Sequence, residues 1–272
     1  MFGISTINIE LTSRCNKSCH MCGRRQLEQA DPDYAATLGD MEWSTFDTIA
    51  KQIEPGMVVQ LHWNGEPTLY PRLKQASMLL QEHGAWVCMD TNGLLLSEKL
   101  DEIEFFDSIT VSVIEGDSEE NYNRQYQAIE DFVYGNEDRH PKLNIRALGT
   151  IPVEIRALAE TYGLDVISRV FHAPEMSRDY QRKPTMPEIG VCLDLLHHLA
   201  IDRLGNVYPC VRFNPRGLNC LGNVVDSSLK ALAGSSKRMR IIKRHFDGER
   251  DKVDICGSCH YYGVPQGMEV TK

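Results

Sequence analysis

Three cysteines, Cys15, Cys19 and Cys22, stand in the run Cys15-Asn16-Lys17-Ser18-Cys19-His20-Met21-Cys22, directly after the apolar-alternating stretch Ile4–Leu11. The C-x3-C-x2-C spacing supplies three thiolates, one short of the four that close a zinc site or a fully ligated iron–sulfur cluster. A cubane held by three thiolates keeps one iron open to an outside ligand with amino and carboxylate donors. The competing structural reading is a zinc knuckle completed elsewhere, for instance by His20. A second set, Cys192, Cys210 and the pair Cys256-Gly257-Ser258-Cys259, offers four thiolates, enough for a second cluster with no open iron or for a structural zinc site. Cys88 and Cys220 are left over. Cys88 falls in a strand; Cys220 either replaces one of the four or is a buried thiol.

Further residues with chemical potential sit just after strand candidates. Asn64-Gly65-Glu66-Pro67 follows Val58–Trp63, and Thr91-Asn92-Gly93 follows Trp86–Met89. Ser112 and Glu115 lie near the end of Ile109–Ile114. Arg146 lies inside Leu143–Leu148 and Arg169 inside Val166–Phe171. In a parallel α/β sheet, ligands collect at the carboxyl ends of the strands, so these positions share one end of the fold. His62, before the Gly-Glu-Pro turn, and His197-His198, in an apolar stretch, read as core or edge histidines. Each turn taken alone is only a chain reversal.

Taken together these motifs resemble the radical S-adenosylmethionine (radical SAM) superfamily, with Asn64 in place of that family's first Gly. The resemblance implies a 4Fe–4S cluster on Cys15, Cys19 and Cys22 that binds S-adenosylmethionine. It implies cofactor contacts from Met21 against adenine, from Asn64, Gly65 and Glu66 toward the methionine ammonium, from Ser112, and from Arg146 toward the carboxylate. Gly permits close backbone approach, and a carboxylate suits an ammonium. The spacing to Ser112 and Glu115 departs from the family's by about one residue. The C-terminal pattern resembles the twitch domain, the shortened SPASM form. It implies one auxiliary 4Fe–4S cluster on Cys192, Cys210, Cys256 and Cys259, with Tyr261 and Tyr262 packed beside it.

The layout also resembles the radical SAM dehydrogenases of aminocyclitol pathways, the 2-deoxy-scyllo-inosamine dehydrogenase type. That implies cleavage of S-adenosylmethionine to a 5′-deoxyadenosyl radical, hydrogen abstraction from a small polyol-like alcohol, and an electron passed to the auxiliary cluster. Arg146 and Arg169 are the candidates for assisting the hydroxyl proton, by orienting it, since Arg is a poor base. The alternatives are a peptide-modifying radical SAM enzyme and a non-enzymatic zinc scaffold. Only 14 residues precede Cys15, too few for a leader-binding domain, which weighs against the peptide reading.

These groups need a scaffold, and the first ~170 residues supply the pattern for one. Six strand candidates alternate with helical stretches: about 44–52, with Ser44 as N-cap and Asp47 three residues on; Leu73–His83; Ser97–Glu104; Glu119–Phe132, ended by Gly135; and 153–162. Such alternation predicts an α/β fold, a partial (β/α)6 TIM barrel with a small C-terminal iron–sulfur (twitch) domain. The expected division is 1–172 barrel, 173–190 a Pro-rich linker, and 191–272 the auxiliary domain.

The chain has 272 residues, a net charge of −9 and nine cysteines. The acidic balance speaks against a nucleic-acid partner. The basic run Lys237-Arg238-Met239-Arg240 reads as a solvated helix face. The longest apolar runs fall short of the ~18 residues of a membrane span, and no signal peptide is visible. Unpaired, clustered cysteines fit a reducing cytoplasm. The expected partners are a small-molecule substrate and an electron donor such as flavodoxin or ferredoxin.

Overall fold

The computed structural model describes residues 3–136, 140–169, 191–212, 214–257 and 259. The expected linker 173–190, Phe171, Tyr261 and Tyr262 lie outside these described residues.

Six strands run parallel and in chain order: β1 Thr6–Ile9, β2 Val58–Gln60, β3 Trp86–Thr91, β4 Ser108–Ile114, β5 Lys142–Leu148 and β6 Asp165–Arg169. Helices α1 Gly23–Ala30, α2 Pro32–Ala36, α3 Trp43–Ala50, α4 Leu73–Glu82, α5 Leu100–Ile103, α6 Glu119–Gly135 and α7 Val153–Tyr162 fall between them. Alternation along each strand sorts the two faces. Ile7, Val59, Val87, Met89, Val111 and Ile145 point to the helix layer and pack with Phe46, Leu73, Ala128 and Ile155 in one apolar core. Asn8, Gln60, His62, Asp90, Ser112 and Arg146 therefore stand on the opposite, concave face.

The sequence places the first six strands and α7 closely, and it misses several ends. Helix α3 starts at Trp43, with Glu42 as N-cap and no side-chain cap. Ser44 is thus inside the first turn, where Trp43 stacks on Phe46 one turn on, ring centroids 5.2 Å apart. The expected helix 97–104 splits into a 3-10 turn, Ser97–Lys99, and the four-residue α5.

The larger departure concerns the C-terminal region. After α8 Leu193–His197, strand β7 His198–Ile201 pairs in parallel with β1, and β8 Asn206–Tyr208 and β9 Gly222–Asn223 continue antiparallel. The described strands form a single nine-stranded sheet, β6-β5-β4-β3-β2-β1-β7-β8-β9. The auxiliary region is thus stitched to the barrel by backbone hydrogen bonds on the free edge of β1. Gly205, at φ +84°, makes the β7–β8 turn, and Asp202 Oδ1 accepts the Leu204 and Asn206 N–H groups within it.

Two further helices, α9 Leu229–Ala233 and α10 Ser236–Phe246, cover this edge. The basic run on α10 is only partly a solvated face. Arg238 is 1% exposed and donates to the carbonyls of Ala233, Leu195 and Leu196 at 2.8, 2.8 and 2.9 Å, capping the end of α8. Among the described residues no helix is long and apolar enough to cross a membrane.

Candidate iron–sulfur and substrate site

Cys15, Cys19 and Cys22 occupy the loop between β1 and α1, and all three are free thiols. Cys22 is the N-cap of α1, so the loop closes straight into a helix. Arg25 on α1 reaches back and donates to the carbonyls of Cys15 and Lys17 at 2.9 and 2.8 Å. Lys17 is buried and ion-paired with Asp117, which follows β4. These contacts fix the loop from two sides before any metal binds. Burial pushes the Cys19 thiol up to about 12 and raises Cys15 as well. Cations reverse that effect by binding thiolates and releasing protons. Three thiols on one braced loop, with no fourth Cys in it, fit a cluster with an open iron.

Two turns abut this loop. The Glu66 N–H donates to Arg14 O at 2.8 Å, which seats the Asn64–Pro67 turn against the chain just before Cys15. Gly65 is required by space: a Cβ there would lie 2.0 Å from Thr12 O and 2.8 Å from Arg14 O. Asn64 donates to Glu10 Oε1 from its side chain at 3.0 Å, while Arg203 N–H, from the β7–β8 turn, donates to Glu10 Oε2 at 3.4 Å. Burial pushes Glu10 up to about 7, against the lowering effect of Asn64. Asn92 completes the ring: its Nδ2 donates to Asn16 Oδ1 at 2.7 Å and lies 3.8 Å from Cys15 Sγ.

Glu66 itself is 2% exposed, and its carboxylate is occupied by this protein. Oε1 accepts from Thr68 N–H, Thr68 Oγ1 and Thr91 Oγ1, and Oε2 accepts from Asn92 N–H. Burial raises its pKa, and these bonds oppose the rise. Glu66 therefore staples the Asn64–Pro67 turn to the turn at Thr91 and Asn92. The Glu115 carboxylate is similarly engaged, accepting from Thr150 N–H at 3.2 Å. Met21 is half-buried in the cysteine loop. Ser112 stands beside Arg146 in the β4–β5 register, and Arg169 ends β6 opposite Leu148.

Below the turns, β3, β5 and the segment just after β2 bring one cluster together. Arg146 on β5 is ion-paired with Asp90 Oδ2 on β3, and His62 Nε2 lies 3.1 Å from the same oxygen. His62 Nδ1 accepts the Asp90 N–H at 3.3 Å, which leaves its proton on Nε2, donated to Asp90. Burial, then Arg146, hold His62 down to about 3, so it stays neutral. Asn8 Nδ2 donates to Gln60 Oε1 and to His62 O at 3.0 and 3.2 Å. His62 is thus a satisfied histidine, as expected, and its partner is a carboxylate on the concave side. Asp90 went unmarked in the sequence; its one signal is its place immediately before Thr91-Asn92-Gly93, at a strand end.

The second thiol set also converges. Cys192, Cys210, Cys256 and Cys259 line one cavity, whose walls include Asp194, Arg212, His245 and Arg250. Burial pushes Cys210 up to about 12 and raises Cys256 too. Arg250 donates to the carbonyls of Cys256 and Cys259, and Cys192 N–H donates to His245 Nδ1 at 3.4 Å. Burial holds His245 down to about 4, which keeps it a neutral acceptor. Four thiols facing one space fit a fully ligated cluster. Cys220 is absent from the cavity lining; its Sγ donates to Gly222 O at 3.5 Å. His245 and Arg250 had no sequence signal.

Residues 9–139 match the radical SAM superfamily, and residues 192–260 match an iron–sulfur cluster-binding domain, SPASM. These matches carry the two-cluster cofactor set and overturn the zinc-scaffold alternative. A tungsten-containing aldehyde ferredoxin oxidoreductase cofactor-modifying protein of Pyrococcus furiosus is 30% identical over 95 residues, 34% of this chain and only 25% of that protein's length. Among solved structures, BtrN in complex with AdoMet and 2-DOIA is 19% identical, covers 98% of this chain and 96% of its own, and superposes with a TM-score of 0.67. Streptococcus suis SuiB bound to S-adenosylmethionine gives a TM-score of 0.68 at 15% identity, over 95% of this chain and 71% of that one. AdoMet-bound anSMEcpe gives 0.63 at 17% identity, over 94% and 88%. At such identities the likeness is one of fold.

Proposed function

This chain belongs to the radical SAM superfamily and carries a SPASM domain, and from that premise we propose that it oxidises a small polyol or aminocyclitol-like alcohol to a ketone. When bound at the three-thiolate cluster, S-adenosylmethionine supplies a radical able to take hydrogen from an unactivated C–H bond. The chain's own residues do the remaining work. Cys15, Cys19 and Cys22 would hold the first cluster; Cys192, Cys210, Cys256 and Cys259 would hold the second, which would supply a one-electron acceptor. Asn64 and Gly65 receive the cofactor's methionine end, Met21 packs on adenine, and Ser112 contacts the ribose or carboxylate. Arg146 and Arg169 orient substrate oxygens.

One observation carries the reading. The concave face under the cysteine loop is lined by hydrogen-bonding groups of mixed donor and acceptor character, Asn8, Gln60, His62, Asp90 and Arg146. Such a polar lining suits a polyhydroxylated molecule better than an apolar one. BtrN, a 2-deoxy-scyllo-inosamine dehydrogenase, shares the fold over nearly the full length of both chains. A flavodoxin or ferredoxin in the cytoplasm is the proposed electron source, with no nucleic-acid or membrane partner. The proposed division is a barrel to residue 172, a linker over 173–190 and the auxiliary domain beyond.

Peptide modification is the second reading. It draws on the equal fold likeness to SuiB, whose structure bound to the precursor peptide SuiA also superposes with a TM-score of 0.68. The test is anaerobic: reconstitute the protein, add dithionite and S-adenosylmethionine, and offer a panel of cyclitols and aminocyclitols alongside short peptides. Ketone and 5′-deoxyadenosine formed together from an alcohol would support the proposal. A crosslinked or epimerised peptide, with every alcohol left intact, would replace it.

A further inference from the structure

The cluster on the concave face contains one carboxylate that no motif marks. Asp90 Oδ2 is held by two donors, the Arg146 guanidinium from β5 and the His62 Nε2–H from the segment just after β2. Both favour the ionised carboxylate. His62 cannot itself take a proton, because its Nδ1 lone pair is used by Asp90 N–H and its ring is held neutral. Arg146 has no basic lone pair at all. Of these three groups, only Asp90 can accept a proton. Its position is also set: Asp90 directly precedes Thr91 and Asn92, which Glu66 holds against the cysteine loop. The side chain is 15% exposed, so it is neither sealed in the core nor open to bulk water.

We propose that Asp90 is the proton acceptor of the reaction and that His62 and Arg146 are its positioning residues; the proposal rests on the alcohol-oxidation reading above. The steps balance as follows. A hydrogen atom leaves the carbinol carbon for the 5′-deoxyadenosyl radical, giving 5′-deoxyadenosine and a carbon-centred hydroxyalkyl radical. The O–H bond of that radical breaks, and its proton forms an O–H bond on the Asp90 carboxylate. The resulting ketyl anion would give one electron to the one-electron oxidant that a cluster on Cys192, Cys210, Cys256 and Cys259 would supply, and the C=O bond would close. Deprotonation matters because a ketyl anion surrenders its electron far more readily than the neutral hydroxyalkyl radical. Arg146 is then an orienting cation next to the acceptor, which resolves the difficulty of assigning it as a base.

Among the described residues, the groups facing Asp90 are Arg146 from β5 and His62 from just after β2, with His198 of β7 beyond the His62 ring. Arg146 stays beside the carboxyl after transfer and favours returning that proton to solvent between turnovers.

The test compares wild type with Asp90→Asn and Asp90→Glu, both reconstituted with two clusters, using the alcohol panel with deuterium at the carbinol carbon. A merely structural defect lowers 5′-deoxyadenosine and ketone together. Loss of a proton acceptor leaves deuterium transfer into 5′-deoxyadenosine running and lowers the ketone-to-5′-deoxyadenosine ratio, by about 100-fold, at the low end of what such groups contribute. Asp90→Glu restores the ratio to within about threefold, as a conserved carboxylate should. A readout independent of turnover is the infrared difference between resting wild type and Asp90→Asn at neutral pH, expected to show a carboxylate band. An unchanged ratio in Asp90→Asn, or a carboxylic-acid band at rest, overturns the acceptor role alone. A wild-type enzyme that oxidises no alcohol in the panel overturns the dehydrogenase reading, and the acceptor role with it.

Discussion

Glu66 Oε2 accepts the backbone N–H of Asn92 at 2.7 Å, across 26 residues of sequence, and Asn92 in turn reaches the cysteine loop at Asn16. The carboxylate is the joint between two turns rather than a free arm. Glu66→Gln replaces one acceptor oxygen by an NH2 that faces another donor, leaving a buried N–H unpaired. The expected cost is about 2 kcal/mol of stability. S-adenosylmethionine binding should weaken as the turns separate. Thermal unfolding and equilibrium dialysis check both; a variant with wild-type melting would show that the joint is dispensable.

Gly65→Ala tests the second turn by space alone. A methyl carbon at that position meets two backbone carbonyl oxygens, the nearer at 2.0 Å, and neither belongs to a flexible side chain. The turn must move off the cysteine loop. We expect iron content to be retained and cofactor affinity to fall at least about tenfold, the equivalent of ~1.4 kcal/mol. Isothermal titration of the reconstituted variant with S-adenosylmethionine would refute this by returning a wild-type constant.

Iron counting separates the leftover thiol of Cys220 from the ligands. Cys192→Ala removes one wall of the four-thiol cavity and should drop the content by about four irons, one cubane, while keeping the first cluster. Cys220 does not line that cavity, so Cys220→Ala should leave iron and sulfide unchanged. Iron lost from Cys220→Ala to the same extent as from Cys192→Ala would place Cys220 among the ligands.

The cysteine motifs and the strand–helix alternation were legible because each is a local pattern. Cys15, Cys19 and Cys22 lie within eight residues, and polar and apolar side chains alternate in segments such as Ser108–Val113. What stayed hidden depends on partners far away in sequence. β7 reads as part of a separate domain, yet it completes the edge of β1, nearly two hundred residues earlier. Arg238 reads as a surface charge until the carbonyls of Leu195 and Leu196 are seen around it. Asp90 and His62 look like ordinary strand residues until β5 brings Arg146 across the concave face. Glu66 was found by its motif, but the four donors that converge on it come from residues the motif does not name, and only the fold reveals them.

Glu10 gives the protein a defined pH dependence of stability. The carboxyl ionises near 4.5 when exposed in the unfolded chain and near 7 in the native one, where burial outweighs the bonds from Asn64 and Arg203. Between those values the native state keeps a proton that the unfolded state has released. The contribution of the protonated carboxyl is therefore complete below pH 4.5 and is lost as pH rises through 7. A shift of this size corresponds to roughly 3 kcal/mol. Glu10→Gln keeps an acceptor for Asn64 and cannot ionise. Its stability relative to wild type should climb from pH 5.5 to about pH 7 and then level off. Urea unfolding of both proteins across pH 5.5–8.5 measures the difference, with the other titrating groups cancelling between them. Parallel curves across that range would mean that Glu10 is ionised in the native state throughout, and that the ties from Asn64 and Arg203 outweigh its burial.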